Sequence, residues 1–221
     1  MNSDPPRAAV SACADSHRHL LAGLIGLTDP NQSVNVAASP SLLPDWTVGH
    51  VLTHLARNAD GLARMVEAGE RGEVAEMYPG GMTTREADIA AGAGRSASEL
   101  VEDVRTASAR LDAVLERAGD NVWMGSGQTV ARVISLREVP DFRRREVEIH
   151  RVDLGLGYTF AHLPADFLRA ELARMTGMWA SRKPMGFTDL PPAALALAPA
   201  DRLAWLTGRL EVSGLDAAGV F

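Results

Sequence analysis

Residues 143–155 read RRREVEIHRVDLG, and the spacing inside this stretch decides how the chain folds. Glu146 and His150 are four apart, which on an α-helix puts them on one face about a turn apart. Val139, Phe142, Glu146, Ile149, His150 and Asp153 share a stripe, so the inward face begins apolar and ends acidic and imidazole-bearing. Arg144, Arg145, Glu148 and Arg151 fall mostly outward, where solvated ion pairs are expected. A carboxylate and an imidazole aimed into a helical core are costly unless something satisfies them. A divalent metal, completed by a histidine from another helix, would do so. ExxxH alone is a weak motif: taken singly, an ion pair of Glu146 with a neighbouring arginine and a hydrogen-bonded core role for His150 are the better readings.

A second stretch offers the missing histidine. Residues 46–61 read WTVGHVLTHLARNADG, with Thr47 as N-cap of a helix reaching about residue 70 and Gly69 near its end. Its inward stripe is Val51, Leu52, Leu55, Leu62, Met65 and Val66. His54 lies among these, with Asn58 one turn later as a partner for a ligating group; His50, in the first turn, suits an exposed or capping role. Two histidines and one carboxylate, with a fourth position left for water or a ligand, form an open catalytic zinc arrangement. Asp153 is placed to accept the second ring N–H of His150 and fix its tautomer, or else is a helix-end carboxylate without special role.

The rest of the chain also reads as helix. Val10, Ala14, His17, Leu21 and Leu24 recur at helical spacing over residues 6–27, and Asp29-Pro30 stops the run. Residues 77–95 show little periodicity and read mainly as a loop with one short turn. Ser96 and Glu99 form a capping box for a third long helix, with Gly119 as its C′ residue. Residues 121–132 suit a short hairpin or irregular crossover, and Ser135 with Glu138 caps the helix bearing Glu146, Pro140 lying in or near its first turn. A fifth helix over 164–182 buries Phe167, Leu168, Leu172, Met175 and Trp179, and a last one covers about 200–208.

Composition narrows the function. The 221 residues are 46% hydrophobic with a net charge of −6, which argues against nucleic acid and anionic membranes as partners. No apolar run approaches the ~20 residues of a membrane span, and the N-terminal MNSDPPRAAV lacks signal-peptide character. A single cysteine, Cys13, cannot form an internal disulfide and lies on the first helix's stripe as a core residue; a cytoplasmic location is expected.

Three well-separated segments resemble one family: LPDWTVGHVLTHLARNADGL (43–62), MYPGGMTTREADI (77–89) and RRREVEIHRVDLG. They are similar to the mycothiol-dependent maleylpyruvate isomerases and their relatives, and the likeness covers most of residues 10–182. It implies a mostly α, DinB-like up-and-down helical bundle over 1–184, followed by a short C-terminal appendage over 185–221. It carries the metal ligands over to His54, Glu146 and His150, for Zn2+ or another divalent ion, and the thiol cofactor to mycothiol rather than Cys13. Members typically append a small α/β domain with an active arginine near its end. Here AWLTGR…SGL puts Arg209 at that position, while the strands before it are reduced to PPAALALAPA.

The chemistry so implied is addition of the thiolate to a cis double bond, rotation about the resulting single bond, and loss of the thiol. Acidic substrates need a counter-charge, for which Arg85 and Arg209 are the candidates. Two other readings stand beside the isomerase: a mycothiol S-transferase that conjugates a small electrophile, and a non-catalytic metal-binding helical module.

Overall fold

The computed structural model describes residues 5–28, 35–181 and 189–219. It opens with α1 (Arg7–Leu24), continued by a 3-10 turn at Ile25–Thr28; the expected stop at Asp29-Pro30 lies outside the described residues. Cys13, Ser16, His17, Leu20 and Leu24 form its buried face, so the stripe is rotated from the one expected, with Val10, Ala14 and Leu21 only half-buried.

Helix α2 (Val48–Glu70) follows, with Thr47 as N-cap in a capping box that uses the His50 side chain. Val51, Leu52, Leu55, Leu62, Met65 and Val66 are all fully buried. Packing from several sides explains its small residues: a Cβ on Gly49 would lie 2.2 Å from the Ala93 carbonyl oxygen, and one on Gly61 would lie 2.6 Å from that of Met77.

Residues expected to be mainly loop contain α3 (Gly81–Gly92), a correction to the sequence reading. Ile89 is its only buried residue, so there was little apolar periodicity to detect. Gly80, at φ 87°, caps it in the left-handed region. Helix α4 (Ala97–Arg117) begins at the Ser96–Glu99 capping box and packs along α2. Gly119 does follow its end, but in extended conformation (φ −82°, ψ 173°), opening the short α5 (Asp120–Trp123). A hairpin of β1 (Ser126–Gln128) and β2 (Val133–Ser135) pairs Gly127 with Ile134.

The Ser135–Glu138 capping box then leads through a 3-10 turn into α6 (Val139–Asp153), with Pro140 in its first turn. Helix α6 packs on both α1 and α2. Glu148, expected to be outward, is therefore buried against α1, where Ser16 Oγ donates to it at 2.6 Å.

The chain divides into two compact units, Met1–Leu156 and Gly157–Phe221. The boundary read at residue 184 lies outside the described residues; α7 (Ala165–Ser181) groups with the second unit by packing on α9 (Pro199–Leu206). Phe167, Met175 and Trp179 are buried in α7 while Leu168 and Leu172 are half-buried, and the rings of Trp179 and Trp205 lie 5.1 Å apart. The stretch PPAALALAPA forms α8 (Pro192–Ala196), tied to α9 by Arg202, whose Nε donates to the Ala194 carbonyl. Among the described residues, no helix is long and apolar enough to cross a membrane.

Candidate metal centre

Helices α2 and α6 bring His54, Glu146 and His150 together. One donor atom from each lies within 4.8 Å of the other two. His54 Nε2 is 2.9 Å from Glu146 Oε2, and His150 Nε2 is 3.8 Å from that same oxygen. The two imidazoles meet edge to face, 4.6 Å between centroids, and Trp46 packs edge-on against His54 at 5.8 Å. His50 stays outside this set, its Nδ1 held 2.8 Å from Thr47 Oγ1 in the capping box.

Each member of the set is held from behind. Asp153 Oδ2 accepts from His150 Nδ1 at 2.9 Å, which leaves Nε2 as the lone-pair nitrogen facing the set. The Leu42 N–H, donating to the Asp153 carbonyl at 2.8 Å, fixes the end of α6. Asn58 Nδ2 donates to Glu146 Oε2 at 3.1 Å, one helical turn from His54. Arg85 Nη2, from α3, lies 3.1 Å from His54 Nδ1.

Electrostatics keep the set in a cation-ready state. Burial pulls His54 down to about 4, although its hydrogen bond to Glu146 opposes this. Burial by itself would raise the Glu146 carboxyl, but the hydrogen bond from His54 and the charges of His54, His150 and Arg143 hold it down at about 2. A neutral His54 beside an ionised Glu146 can take a cation near neutral pH without net loss of a proton, once the ring proton sits on Nδ1.

The sequence reading assigned no role to Arg143, which is completely buried. Its Nε donates to His17 Nε2 at 2.9 Å, and its Nη1 donates to the Leu55 carbonyl and to Asn58 Oδ1, both at 2.8 Å. The 139–143–147 spacing was the available signal, because Val139 and Val147 are also fully buried. A second cluster, Cys13, His17 and Asp112, also brings its donor atoms within 4.8 Å of one another. The guanidinium of Arg143 sits on His17 there, and Asp112 Oδ1 lies 2.8 Å from His17 Nδ1. That cluster is a hydrogen-bonded core network. Arg209 belongs to the second unit, where its Nη1 donates to the Thr207 carbonyl.

The donor set fits a divalent cation: two nitrogens and one oxygen are the protein ligands of an open zinc site. The family model described as the mycothiol maleylpyruvate isomerase N-terminal domain matches residues 13–155, a span containing all the side chains just named except Arg209. Two solved structures resemble the chain. A crystal structure of mycothiol-dependent maleylpyruvate isomerase aligns with a TM-score of 0.79, and one of a histidine-to-alanine mutant of that enzyme with 0.78. Each is 25% identical over 93% of this chain and 90% of the other. No curated protein sequence matches the chain significantly.

Proposed function

Because this chain belongs to the mycothiol maleylpyruvate isomerase N-terminal domain family, we propose that it is a metal- and thiol-dependent isomerase. It converts maleylpyruvate, or a similar cis-enedione acid, to the trans isomer, with mycothiol as the regenerated thiol, in the cytoplasm. The observation that carries this reading is the convergence of His54, Glu146 and His150 within 4.8 Å, inside the residues matched by the family.

A divalent cation, zinc by donor type, supplies net positive charge that lowers the pKa of a thiol at its open position, and mycothiol supplies the sulfur nucleophile. Everything else falls to side chains. His54 and His150 present ring nitrogens, and Asp153 holds the orientation of the His150 ring. Asn58 holds the Glu146 carboxylate in place. Arg85, already at the edge of the set, is placed to bind a substrate carboxylate. Arg209 is the second candidate for such a clamp.

Calorimetric titration of mycothiol into zinc-loaded protein, in two buffers, tests the thiol step: saturable binding with release of about one proton is expected. Absence of binding would reduce the metal to a structural role. Incubation with maleylpyruvate and catalytic mycothiol then separates outcomes. An isomerase turns over without consuming thiol, whereas stoichiometric thiol loss into an adduct makes the protein an S-transferase. His150→Ala should abolish stoichiometric metal, and full retention would refute the ligand assignment.

A further inference from the structure

The Tyr78 hydroxyl is buried, and its proton has no acceptor among the described residues. Its surroundings are those of the metal centre. Burial and the Glu146 carboxylate push its pKa up, while the Arg85 charge and donors of Arg85 and Asn58 directed at the phenol oxygen pull it down. The Arg85 guanidinium carbon lies 5.8 Å from the Tyr78 ring centroid. Buried hydroxyls almost always find a partner, so an orphan beside a candidate ligand site points to an acceptor that arrives from outside.

Two neighbouring acceptor atoms already have donors. Glu146 Oε2 takes hydrogen bonds from His54 and Asn58, and Asn58 Oδ1 takes one from Arg143. The nearby charged groups Arg85 and Arg143 can only donate. The chain on either side of Tyr78 is fixed as well. Met77 N–H donates to the Gln128 carbonyl at 2.8 Å, and the Met77 carbonyl accepts from Arg64 Nη1 at 2.7 Å while lying against Gly61. After Tyr78, Gly80 and Gly81 (φ 87° and 73°) turn the chain into α3. The ring is thus presented to the site from a pinned segment.

We propose that the Tyr78 hydroxyl is the hydrogen-bond donor to the sulfur of the thiol bound at the His54–Glu146–His150 set. The assignment rests on the thiol-dependent reading above and adds a residue to it. When the thiol loses its proton to solvent, the sulfur becomes an anionic acceptor, and a charge-assisted hydrogen bond from Tyr78 stabilises it. His54, His150, Glu146, Arg85 and Arg143 are the other titratable or charged groups around that position.

The test compares wild type and Tyr78→Phe, both full-length and loaded with Co2+. Mycothiol is added and the sulfur-to-cobalt charge-transfer absorbance is followed against pH. Metal stoichiometry should be unchanged in Tyr78→Phe, and its melting temperature should stay close to that of wild type, because the hydroxyl proton has no acceptor in the protein. The pH midpoint of the band should rise by about one unit, a roughly tenfold loss of thiol binding at fixed pH below the midpoint. A midpoint identical to wild type overturns the assignment. So does unchanged thiol binding with a reduced kcat, which would put the hydroxyl on the substrate, or loss of metal, which would make Tyr78 a structural support. A wild type without any thiol band overturns the thiol-dependent reading itself, and the Tyr78 assignment with it.

Discussion

The Arg85 guanidinium lies 3.1 Å from Nδ1 of His54, and this contact is incompatible with a cation on the other ring nitrogen. Arginine carries only donors, so Nδ1 of the neutral imidazole accepts and Nε2–H donates to Glu146, 2.9 Å away. For Nε2 to act as a ligand its proton must move to Nδ1, which then no longer accepts from Arg85. A cation at the set would therefore release Arg85 and leave it available to a substrate carboxylate.

Arg85→Met should consequently hold divalent metal at least as tightly as wild type in a competitive chelator titration. The same variant should raise KM for an acidic substrate by about tenfold or more, the worth of one hydrogen bond to a charged group. Loss of metal from Arg85→Met would contradict the competition.

Asn58 and Asp153 brace the ligands from behind. Asn58→Leu removes a donor from Glu146, and Asp153→Ala leaves His150 Nδ1–H without its acceptor. Each should weaken metal binding by about 10- to 100-fold. Chelator competition measures this directly, and wild-type affinity in both would detach these residues from the site.

Arg143 ties the site to the core. Arg143→Met would strand the His17 and Asn58 acceptors and the Leu55 carbonyl, and is expected to destabilise the protein by about 3–5 kcal/mol in urea unfolding. Arg143→Lys should rescue little, because an ammonium cannot reproduce the planar fork. A loss below about 1 kcal/mol would mean that the network contributes little.

How far these features were legible depended on how each residue announces itself. The α2 stripe, its Thr47 cap and two capping boxes were readable because apolar periodicity and Ser/Thr caps are local signals. The convergence of His54, Glu146 and His150 was legible from helical spacing combined with family resemblance; neither motif alone set them apart from ordinary core groups. Arg143, Glu148 and Tyr78 were missed because their burial comes from neighbours distant in sequence: α1 covers Glu148, and a pinned segment carries Tyr78 to the set. Helix α3 was missed because a single buried isoleucine leaves no period to detect.

His17 makes the fold sensitive to mild acid. Burial lowers its pKa below the ordinary 6.5, so below that pH the unfolded chain binds a proton that the folded chain does not. Stability then falls with falling pH, by at most about 1.4 kcal/mol per pH unit for one group. His54, lowered to about 4, acts in the same sense between pH 6.5 and 4. Urea unfolding of metal-free protein at pH 7, 6 and 5 should show this slope, and His17→Gln should reduce it. Equal slopes in the two proteins would exclude His17 as a source.

Cys13 is the remaining thiol that could be confused with the chemistry. It is completely inaccessible, and burial pushes its thiol up to about 12, so almost no thiolate exists near neutral pH. Native protein should therefore resist a thiol-specific reagent such as a disulfide dye, while protein in denaturant reacts with one equivalent. Because the folded value lies above the ordinary 9.0, the associated stability is complete below pH 9 and is lost as pH rises toward 12. Cys13→Ala should cost about 1 kcal/mol for the small volume removed and leave thiol-dependent turnover intact. If Cys13→Ala abolished turnover while still folding and binding metal, the working sulfur would be internal and the requirement for an external thiol would have to be withdrawn.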